Sequence, residues 1–153
     1  MWRRLARAES DGLTLFMAVP TNYAQLIREF DAAGGANSAP MRAAAAGAAS
    51  LRLMVSGSMS LPTPTLSRWR EITRHTLLER YGMSELGMVL SQPLEGERVE
   101  GTVGAPLPSV EVMIAQECDG KAAGAPGEAA DVEVHRRDAC PDTAMRRSHA
   151  ISA

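Results

Sequence analysis

Aromatic side chains are scarce in this sequence: two Phe, two Trp and two Tyr make up 4% of 153 residues. A chain of this length can bury a real core, but it has few large anchors with which to build one. Lysine is scarcer still, with Lys121 alone. The net charge is only −2, and no run of basic residues forms a stripe, so a nucleic-acid-binding class is excluded. Two cysteines, Cys118 and Cys140, do not make a secreted disulfide scaffold. They alternate with His135 and His149, but no pair has zinc-site spacing, and free thiols are expected. No apolar run approaches the ~20 residues of a membrane span.

What is present reads as alternating elements. The opening MWRRLARAES is arginine-rich, as transit peptides are, but it is short and contains Glu9. An amphipathic helix with Trp2, Leu5 and Ala8 on one face is expected there, and no targeting segment. LTLFMAVP, residues 13–20, reads as a buried strand stopped by proline. Thr21 is placed to cap a helix with Tyr23, Leu26, Ile27 and Phe30 on one side, ended by Gly34 and Gly35. MRAAAAGAAS has the composition of a further helix. LRLMV, residues 51–55, predicts a second strand, closed by SGS. Thr63 and Pro64 open a helix with Leu66, Trp69 and Ile72 inward. TLLERY and SVEVMIA predict third and fourth strands.

Strands alternating with helices predict an α/β domain with a largely parallel sheet and flanking helices. Strands of such a sheet end at one edge, where ligands bind. The turns at Ser56–Ser58 and Gly82–Glu85 should therefore share that edge. Beyond residue 115 the sequence is low in complexity, rich in Ala, Gly, Asp and Arg, with VEV as its one strand signal. The expected division is a domain over 1–115 and a disordered tail over 116–153.

The stretch HTLLERYGMSELGMVL concentrates the chemistry. Past Gly82, Ser84 sets a hydroxyl beside the Glu85 carboxylate. Glycine lets a backbone approach phosphate, a hydroxyl can donate to it, and a carboxylate is a hard-oxygen donor for Mg²⁺. Tyr81 could stack on a base. The same Ser-Glu pair after glycine is also a common helix start, and spacing leaves both readings open.

Residue identity goes further. LLERYGMSE resembles the YGxTE motif of the adenylate-forming (AMP-binding) superfamily of acyl-CoA synthetases, and LMVSGSMSL resembles that family's adenine-side loop. FMAVPTNY and VEGTVGAPLPSVEVMI are similar to further family segments, in the family's order. Within the superfamily the sequence most resembles the malonyl-CoA synthetase branch, over residues 1 to about 115. The resemblance implies part of the large N-terminal domain of an adenylate-forming enzyme, with most strands parallel. It implies that Tyr81 flanks adenine, that Gly57, Ser58 and Met59 form the adenine loop, and that Gly82 belongs to the same nucleotide site. Ser84, where the family usually has Thr, would contact phosphate, and Glu85 would hold Mg²⁺. Met59 is bulkier than the branch's usual residue and would narrow the slot. Arg52 stands where the branch carries an arginine for the distal malonate carboxylate, a task suited to a guanidinium fork; the alternative is a surface arginine.

The implied activity is that of an acid–CoA ligase. ATP adenylates a carboxylate such as malonate with Mg²⁺ present, and CoA then takes the acyl group as a thioester. By family the location would be mitochondrial or cytoplasmic. The family's phosphate loop with its lysine, its ribose-binding aspartate motif and its C-terminal lysine have no counterpart here, and Lys121 matches neither lysine. An internal piece of a longer enzyme is expected. The alternative is a non-catalytic remnant that binds a nucleotide or a partner weakly.

Overall fold

The computed structural model describes residues 1–115, 131–136 and 149–150. A one-turn helix α1 (Trp2–Leu5) is followed by strand β1 (Leu15–Ala18) and helix α2 (Pro20–Ala32). Helix α3 (Ala39–Ala49), strand β2 (Leu53–Ser56) and helix α4 (Thr63–Thr73) come next. Strands β3 (Leu78–Met83), β4 (Gly87–Ser91) and the short β5 (Ala105–Pro106) complete a five-stranded sheet in the order β1-β2-β3-β4-β5. A second sheet holds β6 (Val110–Ala115), β7 (Asp131–Arg136) and β8 (His149–Ala150).

The first three strands run parallel, with helices in both connections, as a parallel crossover requires. From β3 onward the pairing turns antiparallel. The α/β class with a parallel sheet and flanking helices therefore holds, and the sheet as a whole is mixed. One local expectation reverses. Pro20 does not stop a strand but occupies the first turn of α2, where its missing N–H is no loss. Thr21 lies inside the helix, and the cap position is Val19, with no side-chain cap bond. Strand β1 was expected to be buried, yet Leu15 and Met17 are 44% and 52% exposed. It is an edge strand, and only its Phe16 and Ala18 side packs on the core.

The second sheet changes the picture after residue 115. Strand β7 pairs with β6 from Val110↔Arg136 to Ala115↔Asp131, so part of the expected tail is strand. VEV was its legible fragment. Residues 116–130, 137–148 and 151–153, with Cys118, Lys121 and Cys140, lie outside the described residues.

Five of the six aromatic rings build one core. Trp2 lies 5.3 Å from Phe30 and 5.6 Å from Trp69, measured between ring centroids. Trp69 meets Tyr23 edge-on at 4.9 Å, and Tyr23 meets Phe16 edge-on at 5.6 Å. Such contacts add about 0.5–1.5 kcal/mol each beyond the burial of the rings. The polar tips are satisfied: Trp2 Nε1 donates to the Leu26 carbonyl at 2.9 Å, and Tyr23 Oη to the Val55 carbonyl at 2.8 Å. The second bond matters for function, because it ties α2 to the end of β2, one residue before the SGS turn begins. Only Tyr81 stands outside this chain of rings.

Candidate active site

Strands β1, β2 and β3 end at one edge, and the register there is specific. Ala18 pairs with Ser56, and Ser56 with Glu79. Beyond Ser56 the chain turns through Gly57 and Ser58, the latter in the left-handed region at φ 70°. A non-glycine residue in that region costs about 1–2 kcal/mol, which the surroundings must offset. Strand β3 does not stop there. It continues through Tyr81, Gly82 and Met83, with a bulge between Tyr81 and Gly82, and projects about 13 Å past the last β2 pair. The turns expected to share an edge do share it.

The GMSE segment itself differs from both local readings. Gly82 and Met83 are strand residues, and Ser84 starts no helix. Ser84, Glu85 and Leu86 form the turn of a hairpin into β4, with Leu86 N–H donating to the Met83 carbonyl at 3.2 Å. Gly87 takes φ 68° where the chain reverses, a conformation that glycine reaches without a Cβ clash. The hairpin holds Ser84 and Glu85 exposed at the tip, so the hydroxyl and the carboxylate face solvent side by side. Tyr81 is half-buried behind them. Burial first, and then the nearby Glu85 charge, push its hydroxyl above its usual value, so it remains a donor at neutral pH.

Between the β1, β2 and β3 ends lies a cleft of about 300 Å³, lined by Val19, Asn22, Gly57, Ser58 and Arg80 among others. A second, more apolar hollow of about 320 Å³ adjoins it, with Met88, Leu90 and Leu107. Met17, Val55 and Arg80 border both. Arg80 packs against the turn: a Cβ on Gly57 would stand 2.9 Å from its Cζ and 3.0 Å from Nη1. No carboxylate among the described residues pairs with this guanidinium.

The other expected residues fall into two groups. Met59 follows the Gly57–Ser58 turn outside the lining of both hollows, 61% exposed, with its Sδ 4.0 Å from the Thr21 hydroxyl at the start of α2. Arg52 is exposed and precedes β2, about 16 Å along the strand from the Gly57 turn and at the sheet's other edge. Arg80 is the residue that sequence reading missed. It stood inside the quoted motif, and strand alternation opposes it to Glu79 and Tyr81, but only the β2–β3 register shows that its face is the cleft.

For Mg²⁺ the donor chemistry fits in one specific way. No group of three or more His, Cys, Asp or Glu side chains gathers among the described residues, so no all-protein cage exists there. One exposed carboxylate beside a hydroxyl is the minimal protein share that Mg²⁺ takes when phosphate oxygens and water complete its shell.

Comparison with known proteins places the fold in one family. The AMP-binding enzyme family matches residues 3–130, past the boundary expected at 115. The Xenopus laevis mitochondrial malonate–CoA ligase ACSF3 is 50% identical over 112 residues, 73% of this chain and 19% of the ligase. The human mitochondrial ACSF3 is 46% identical over 76% of this chain and 20% of its own length. The chain thus spans about a fifth of the length of these relatives. A malonyl-CoA ligase solved with methylmalonyl-CoA and AMP superposes with a TM-score of 0.69 at 32% identity, over 89% of this chain and 27% of that one. ATP-bound MatB from Rhodopseudomonas palustris superposes at 0.64 and 33% identity, over 88% of this chain and 24% of that one. The sheet and its flanking helices are part of the large N-terminal domain of an adenylate-forming enzyme, and the chain belongs to the AMP-binding enzyme family.

Proposed function

We propose that this chain carries the nucleotide- and acid-facing edge of a malonate-type acid–CoA ligase. In that reaction a carboxylate oxygen attacks the α-phosphorus of ATP, pyrophosphate leaves, and the CoA thiol then displaces AMP to give the thioester. The observation that carries the reading is Arg80, an acid-free guanidinium between two hollows and against the Gly57 turn. A dicarboxylic acid needs such a cation for the carboxylate that does not react, and the guanidinium fork suits it. Arg80 takes that role in preference to Arg52, which lies outside the cleft. Gly57, Ser58 and Met59 would wall the adenine on one side, and Tyr81 with Gly82 on the other.

Ser84 would donate to a phosphate oxygen, and Glu85 would hold Mg²⁺, which neutralises phosphate charge when bound. The exposed hairpin tip leaves both groups open to a triphosphate. The mitochondrial relatives make a mitochondrial location part of the proposal.

The test is a chimera in which this chain replaces the matching segment of the Xenopus ligase. Glu85→Gln should lower malonate-dependent ATP–pyrophosphate exchange about 100-fold with little change in malonate affinity, because the carboxylate acts on charge that grows in the transition state. Exchange at the unsubstituted rate would remove Glu85 from the site. The second reading is a non-catalytic nucleotide- or partner-binding piece. A chimera inactive even without substitution would support it.

A further inference from the structure

The catalytic reading leaves one buried amide unused. Gln92 directly follows β4 and is 5% exposed. Its backbone is fixed to the neighbouring strand, where the Gln92 N–H donates to the Glu79 carbonyl on β3 at 2.9 Å. Its side chain reaches into the loop that joins β4 to β5. There Oε1 accepts from the Val99 N–H at 3.2 Å. Nε2 lies 2.7 Å from the carbonyl oxygens of both Val99 and Thr102. It is also 3.0 Å from the Thr102 hydroxyl, which itself donates to the Val99 carbonyl. The side-chain amide thus meets Val99 as a paired strand would, accepting from its N–H and donating to its carbonyl.

These bonds decide where the chain goes next. Two residues past Thr102, Gly104 crosses the Ser91–Gln92 peptide at φ 88°, so closely that a Cβ there would overlap the Ser91 carbonyl. From that crossing β5 pairs Ala105 with Ser91 and Pro106 with Leu90, and the Leu107 N–H donates to the Val89 carbonyl at 2.9 Å. Leu107 and Leu90 wall the apolar hollow that Arg80 borders. Two residues of strand make a short ladder to hold that wall. The loop's other fastenings act earlier in the chain. Arg98 donates to the Thr76, Pro93 and Leu94 carbonyls, and Glu100 pairs with Arg70 of α4 at 2.9 Å.

We propose that Gln92 is a positioning residue for the acid site: its side-chain amide holds Val99 and Thr102, and so sets Leu107 as a wall that keeps water from Arg80. It touches neither nucleotide nor acid. A guanidinium holds a carboxylate more strongly where water is excluded, so the wall acts on acid binding and not on the chemical step. The proposal rests on the ligase reading for what Arg80 binds; the hold on the loop does not depend on it.

The experiment joins amide hydrogen exchange of the ¹⁵N-labelled chain to kinetics of the chimeric ligase. Gln92→Leu removes every side-chain bond. Gln92→Glu keeps the size and the acceptor for the Val99 N–H, but turns an oxygen towards two carbonyls. Both variants should speed exchange at Val99 and Leu107 about tenfold or more, the scale of a lost hydrogen bond, while amides of α2 and α4 stay protected. Both should raise the malonate KM about tenfold, as a weakened hydrogen bond to a charged group does, with kcat and acetate turnover within about threefold. Unchanged Leu107 exchange, or a fallen kcat at an unchanged malonate KM, overturns the proposal. If only Gln92→Leu fails to fold, Gln92→Glu decides; if neither folds, Gln92 serves the whole fold and the proposal falls. Arg80→Met separates this inference from the reading beneath it. A malonate KM raised in Arg80→Met but not in the Gln92 variants overturns the proposal alone. A KM unchanged in all three removes Arg80 from the acid, and the proposed role of Gln92 with it. Should the chimera turn nothing over, the same comparison is read from its malonate Kd.

Discussion

Replacing Gly57 with alanine separates the fold from the site more sharply than any catalytic substitution. Gly57 does not occupy the left-handed region, so its backbone accepts a side chain. The constraint is space. The new Cβ would stand 2.9, 3.0 and 3.1 Å from Arg80 Cζ, Nη1 and Nε. An ordinary carbon contact lies near 3.5 Å, so the guanidinium must retreat by about 0.6 Å or more. It can do so by rotating its flexible stem, at about 0.5–1.5 kcal/mol. Stability should therefore fall by no more than about 1.5 kcal/mol.

Binding should suffer more. A hydrogen bond to a charged group contributes about 1.5–3 kcal/mol. Losing one prong of a carboxylate fork corresponds to a roughly 10- to 100-fold weaker hold on malonate. In the chimeric ligase this appears as a raised malonate KM, matched by Arg80→Met, with acetate turnover nearly unaffected. Urea unfolding of the chain supplies the stability arm. An unchanged malonate KM in Gly57→Ala would refute the assignment of Arg80 to the acid. A stability loss above about 3 kcal/mol would show instead that the backbone, not the arginine, had yielded.

Two further expectations concern the fold alone. Gly104→Ala should destabilise the chain by about 3 kcal/mol or more in urea unfolding, because the added Cβ would lie 2.0 Å from the Ser91 carbonyl oxygen at φ 88°; a loss below about 1 kcal/mol would contradict this contact. Burial holds the His75 imidazole below its usual value of 6.5, the Ala49 carbonyl opposes that, and the Arg98 charge adds to it. The folded chain then binds fewer protons at His75 than the unfolded one. Stability should be full above about pH 6.5 and decline as pH falls below it, with His75→Gln flattening the slope; an unaltered slope would clear His75 of the effect.

The helices were legible because their apolar residues recur at helical spacing: Tyr23, Leu26 and Phe30 in α2, Leu66 and Trp69 in α4. The hairpin was not. Gly-Met-Ser-Glu offers the same local chemistry to a helix start and to a reversal, and the decision lies in β4, which pairs back only after Gly87. Strand β7 was hidden for a similar reason, since its support is β6 rather than its own polar neighbourhood. Motif resemblance found Gly57, Ser58, Tyr81, Ser84 and Glu85 along one edge. It could not find Arg80, whose position depends on the register between β2 and β3, and it drew attention to Arg52 at the strand's far end.

The concentration of rings in the core has an optical consequence. Trp2 and Trp69, with centroids 5.6 Å apart, are close enough to couple electronically and act as one chromophore. Their emission and near-ultraviolet dichroism report on whether α1, α2 and α4 are packed together. Tyr81 lies apart from that cluster, on the stretch of β3 that runs past the β2 pairing. One cuvette can therefore follow the packing of these helices at the tryptophan wavelengths, with no label attached to the chain.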